Sequence, residues 1–183
     1  MFLRLHRTAG LARAVLLGAW MVTSQVIPAS AQPLVVNGHE GAMPDLSRIA
    51  DGELTASIIR AVRGAARQLA TDRCQQILDD FSDASGQSLR LVVASLAVDP
   101  PAAFSRVIFR DGREHALCRS GAVSAFTGAG SRVVFVCARE FLDLGRDHAE
   151  RVVLHELLHT LGLDERPPSS AEIDRAVAHR CRW

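Results

Sequence analysis

The amino-acid sequence predicts an α+β fold: a small, mostly antiparallel sheet with an N-terminal helical region, one central helix carrying a metal motif and a C-terminal helix. Three observations carry that expectation. Apolar residues recur at helical spacing from Glu53 to about Phe81. Short β-prone runs broken by turn residues fill the middle of the chain. Helical patterning then returns from Gly145 to Cys181. Helices and strands that segregate along the chain give α+β rather than wound α/β architecture.

The first segment stands apart from that fold. Arg4, Arg7 and Arg13 precede an apolar run from Ala14 to Ile27, and Ala29-Ser30-Ala31 matches a cleavage site. These are the three parts of a secretory signal peptide, and the apolar run is short for a bilayer span. Removing residues 1–31 from the 183 leaves 152, the size of one ordinary domain, secreted or periplasmic and free of the membrane. The signal holds three Arg and no acid, so cleavage moves the net charge from +1 to −2. A near-neutral chain lacks the basic footprint of a nucleic-acid binder. The chain has no Lys and no Tyr.

Residues 32–52 hold Pro33, Gly38, Gly41 and Pro44 with little periodicity and read as an extended lead-in; residues 53–183 form the single domain. Leu54, Ile58, Val62, Ala65 and Leu69 give the first helix one apolar face. Thr71 caps a second helical piece that carries Cys74, Ile77, Leu78 and Phe81 and ends at Ser85-Gly86. Leu89 to Val98 is β-rich and predicts a strand ended by Pro100-Pro101. Val107–Arg110 and His115–Cys118 flank Asp111-Gly112, a hairpin signal. Val123–Thr127 and Arg132–Cys137 predict two more strands around Gly128-Ala129-Gly130. Asp147 with Glu150 has the spacing of a capping box for the central helix, Gly162 stops that helix, and Ser169-Ser170 starts the last one, from about Ala171 to Cys181.

Cys74, Cys118, Cys137 and Cys181 all lie in the exported part, an even number with three possible pairings and no C-x-x-C for a zinc knuckle. The preferred pairing is Cys118–Cys137, which end two expected strands of one sheet. That leaves Cys74–Cys181 to tie the first helical region to the last helix.

His155-Glu156-Leu157-Leu158-His159 carries the chemistry. Two His at i and i+4 share one helical face, so both imidazoles can bind one Zn²⁺. Glu156 then projects beside them, in reach of a water at the metal, as a general base. His155 to Glu165, HELLHTLGLDE, resembles the active-site helix of the zincin metallopeptidases, with the H-E-x-x-H-x-x-G opening of the metzincin clan. The last third also resembles a group of secreted bacterial proteins with this motif, followed by Pro-Pro and a Cys near the C-terminus.

The resemblance implies zinc held by His155, His159 and a third ligand three residues after Gly162, which is Glu165 here where metzincins carry His. Glu172, at the start of the last helix, matches the gluzincin scheme instead, and Asp164 and His179 are weaker alternatives. The Met residues are Met1, Met21 and Met43, all upstream, so no Met-turn follows the motif. His148 can share the motif face by i, i+7 spacing. His179 can donate to an oxyanion in place of a Tyr. Asp174 can orient a ligand His. The expected function is a secreted zinc metallopeptidase acting on a peptide or protein substrate. The alternatives are a non-catalytic exported domain with structural zinc, or a disulfide-stapled binding module.

Overall fold

Eighteen residues of helix open the domain because Asp51 caps them. Its side chain accepts from the amides of Glu53 and Leu54, and α1 (Gly52–Leu69) follows with Leu54, Ile58, Val62, Ala65 and Leu69 turned inward. The structure, a computed structural model, describes residues 43–183. The expected signal peptide lies outside the described residues. Before α1, β1 (Asp45–Arg48) turns part of the extended lead-in into a strand. After it, Thr71 caps α2 (Asp72–Gln75) through the Cys74 amide, as expected, and α3 (Ile77–Asp80) continues the buried face.

Leu89–Ser95 is a helix, α4, and not the strand expected from its β-prone side chains. The Ser88 side chain caps it, and Leu89 and Val93, four residues apart, are its buried pair while Leu91 stays exposed. Helical spacing of two anchors outweighs strand propensity here. A 3₁₀ segment, Pro100–Arg106, leads into β2 (Ile108–Asp111).

The hairpin expected at Asp111-Gly112 does not form. His115 begins α5 (Ala116–Ser120), its ring accepting from the Leu117 amide, so the chain turns away from β2. The Gly112 amide instead donates to the Val136 carbonyl across the sheet. The two remaining strands fall where expected, as β3 (Ala125–Phe126) and β4 (Val133–Val136).

The sheet runs β1-β2-β4-β3. The α+β class is as expected, but the sheet is mixed: β1–β2 and β2–β4 are parallel, and β3–β4 alone is antiparallel. Parallel neighbours need long crossovers, which α1 to α4 and the α5–β3 segment supply.

After α6 (Ala138–Leu142) comes α7 (Arg146–Thr160), which carries the motif. Every residue from Val153 to His159 is buried, so the C-terminal half of the helix is enclosed on all sides, while its first turn, Arg146–His148, is exposed. It packs on α1, where Gly64 leaves room for the buried Glu150 carboxylate; any side chain at Gly64 would overlap it. Glu150 therefore does not form a capping box with Asp147, and Gly145 is the N-cap. Its Oε2 accepts from Trp183 Nε1 at 2.8 Å, fixing the C-terminus over α7.

The last helix, α8 (Ser170–Arg180), is held to α2 and α3 by Cys74–Cys181 and by Arg180 on Asp80. Cys118–Cys137 ties α5 to the end of β4. Both pairings are those expected from the sequence. Among the described residues, no helix is long and apolar enough to cross a membrane.

Candidate metal centre

The C-terminal turn of α7 is built so that the chain can double back. Gly162 takes φ +107°, its amide donates to the His159 carbonyl, and the Leu163 amide donates to the Leu158 carbonyl. This paired closure is a Schellman motif. Gly162 also lies against Asp83, whose Cβ a side chain at 162 would meet at 2.8 Å. From there residues 163–165 return beneath the two imidazoles, as the Gly162 spacing led one to expect.

Three side chains converge at that place. The Nε2 atoms of His155 and His159 are 3.0 Å apart. Glu165 Oε1 lies 3.6 Å from the first and 3.2 Å from the second. A tetrahedral zinc with bonds of about 2.0–2.1 Å holds its ligand atoms about 3.3 Å apart. The observed spacing fits that donor set, and His155, His159 and Glu165 form a group able to hold a metal ion.

The far nitrogen of each ring fixes its tautomer. His155 Nδ1 is 2.7 Å from Asp174 Oδ1, and His159 Nδ1 is 2.7 Å from the Leu163 carbonyl. A carbonyl oxygen can only accept, so His159 carries its proton on Nδ1; the Asp174 carboxylate asks the same of His155. Two neutral rings so fixed present two Nε2 lone pairs and a carboxylate oxygen to one another. Three acceptors this close suit a cation between them. Burial works against protonation of His155, but the Asp174 hydrogen bond and the charges of Glu156, Asp174 and Glu165 outweigh it and raise its pKa. The His155 hydrogen bond holds the Asp174 carboxyl below the usual range.

Glu156 lies beside this cluster. It is 6 % exposed, and its buried Oε2 has no hydrogen-bond partner. Burial pushes its carboxyl up to about 7, opposed by His155 and reinforced by Glu165 and Asp174. A carboxyl group poised there can take or give a proton near neutrality. His155, Glu156 and Asp174 line a cavity of about 440 Å³ together with Ala122–Ala125, which lead into β3.

The other candidates separate cleanly. Glu172 closes a capping box on Ser169, accepting from its amide at 2.8 Å and its hydroxyl at 2.7 Å, so it serves α8. Asp164 Oδ1 accepts from the Glu165 amide. His179 is exposed on α8, and its carbonyl accepts from Arg73. His148 does line the cavity. Sequence reasoning overlooked the Leu163 carbonyl, which carries no side-chain signal, and Arg151. Arg151 also lines the cavity, and its i−4 relation to His155 marks it.

No protein-family model, no curated protein and no solved structure matches the chain. The likeness to zincins therefore rests on the motif residues, and the chemistry on the arrangement of their side chains.

Proposed function

We propose that this chain is an exported zinc metallopeptidase that hydrolyses peptide bonds. One observation carries the reading: His155 Nε2, His159 Nε2 and Glu165 Oε1 converge, with each ring's Nδ1 turned to an acceptor oxygen. Imidazole nitrogens with a carboxylate suit zinc, and three protein ligands leave a position open, the pattern of catalytic rather than structural sites. When bound, zinc supplies Lewis acidity and lowers the pKa of water at its open position toward about 7.

The chain's own residues do the rest. Glu156 Oε2, buried and without a partner, receives a proton from the attacking water and returns it to the leaving amine. Asp174 and the Leu163 carbonyl hold the rings still. The cavity beside His155 takes the substrate. A structural zinc site has no use for an unpartnered buried carboxylate next to its ligands. The two disulfides and the signal-like leader support export.

The test is Glu156→Gln. Purified protein should contain one zinc per chain by elemental analysis, and wild type should cleave a mixed peptide library. Glu156→Gln should keep the zinc and lose at least 100-fold in rate. Cleavage at the wild-type rate by this variant, or a wild type that takes up no zinc, overturns the reading.

A further inference from the structure

Arg151 stands four residues before His155 on α7, one turn nearer the N-terminus and on the same face. It lines the cavity that His155, Glu156 and Asp174 line. Its Nε is buried and has no hydrogen-bond partner, and Arg151 forms no ion pair among the described residues. Other arginines near acids are matched: Arg90 with Asp79, Arg113 with Asp111 and Arg180 with Asp80.

Nearby acids give its Nε no hydrogen bond, although the Arg151 charge helps to hold the Asp174 carboxyl below its usual range. Asp174 Oδ1 is held by His155, and Glu165 Oε1 faces the two imidazoles. A buried donor left without a partner carries an uncompensated desolvation cost. In a cleft, that cost is recovered when a ligand supplies the acceptor. The guanidinium fork matches the two oxygens of a carboxylate. His148, a turn further along the same face, and Ser170 line the same cavity and add polar groups to that end. One helical turn is about 5.4 Å, and an extended peptide advances about 3.3 Å per residue. The matching oxygens therefore belong one or two residues from the bond presented to Glu156.

We propose that Arg151 is a specificity-determining residue that binds a substrate carboxylate, either an acidic side chain or a free C-terminus, one or two residues from the scissile bond. The cleavage step rests on the metallopeptidase reading; the binding step does not.

Binding is measured by calorimetry on Glu156→Gln protein, with and without zinc, so that no hydrolysis intervenes. The probes are alanine hexapeptides blocked at both ends, each carrying one Glu, and the same set with Gln. A second arm compares an unblocked C-terminal carboxylate with its amide and so tells the two sources apart. The expected result is at least tenfold tighter binding of the carboxylate member of one pair. In Arg151→Gln the difference falls below twofold, and in Arg151→Lys, which keeps the charge but not the fork, only part of it returns. Equal affinity within every pair, no binding at millimolar peptide, or a preference undiminished in Arg151→Gln overturns the proposal. The matched pairs are compared on protein with Arg151 intact, so a folding defect in the variants cannot hide the answer. Carboxylate preference without any cleavage by wild type defeats the peptidase reading and leaves this site standing. Cleavage indifferent to charge defeats this site alone.

Discussion

Two hydrogen bonds decide which nitrogen of each imidazole faces the donor cluster: His155 Nδ1 to Asp174 and His159 Nδ1 to the Leu163 carbonyl. Groups behind a ligating His typically hold 10- to 100-fold of metal affinity. Asp174→Ala should therefore lower zinc affinity by that factor, read by competition with a coloured chelator, while circular dichroism stays unchanged; unaltered affinity would show that Asp174 is only a solvated helix residue. Glu156 tests the opposite quantity. Its buried Oε2 lacks a partner, so in zinc-free protein at pH 8 Glu156→Gln should raise stability by about 1–3 kcal/mol, measured by urea unfolding. An unchanged or lower midpoint would mean that the carboxylate is hydrated. The convergence of His155, His159 and Glu165 was legible because spacing and one glycine set it. The role of Asp174 was weighed among several, since nothing in a sequence says which face of α8 meets α7. The Leu163 carbonyl could not be read at all, because every residue has one.

At the scale of elements, legibility depended on whether a signal was local. The α1 face, the Thr71 cap, the Gly162 stop and the Ser169 start of α8 all appear where the sequence put them, each being decided within a turn of chain. The errors arose where tertiary partners decide. Leu91, Val92 and Val93 are good strand formers, yet burial of Leu89 and Val93 makes α4 a helix. Asp111-Gly112 is a good hairpin turn, yet the next residues form α5, tied by Cys118 to Cys137. Two variants test the elements around the metal centre. Gly162→Ala places a side chain at φ +107° and against Asp83, so it should cost at least about 1–2 kcal/mol in chemical denaturation and weaken zinc binding by moving the Leu163 carbonyl. Stability and affinity both equal to wild type would show that the turn relaxes freely. Glu172→Ala removes half of the α8 capping box and should lower stability slightly with zinc affinity intact, whereas Glu165→Ala should abolish tight binding. The reverse pattern would hand the third ligand position to Glu172.

At the scale of the whole molecule, the class was legible and the strand directions were not. Helix and strand content follows from local pattern, but β1 and β2 run parallel because four helices intervene, and no residue in either strand records that choice. The same long-range logic joins stability to the metal centre. Asp174 belongs to α8, while the imidazole it orients belongs to α7. What keeps α8 in place lies at its other end: Cys181 bonded to Cys74, with Cα atoms 4.5 Å apart and a sequence separation of 107, and Arg180 on Asp80. A crosslink over a loop of that length contributes about 4–5 kcal/mol in the chain-entropy model. Replacing Cys74 and Cys181 together by Ser should therefore lower stability by several kcal/mol, and in the surviving folded protein zinc affinity should fall as well, because α8 is freer to carry Asp174 away from His155. The Cys118–Cys137 pair has a sequence separation of only 19 and does not hold α8, so its removal should cost less and leave zinc affinity unchanged. Saturating zinc should restore part of the lost stability in the first variant, since a ligand of the folded state stabilises in proportion to the logarithm of its concentration over Kd. Thermal melts of both double variants, with zinc and with chelator, separate the cases. Equal loss of zinc affinity in the two, or none in either, would mean that α8 stays docked without its disulfide and that the brace on His155 is independent of Cys181.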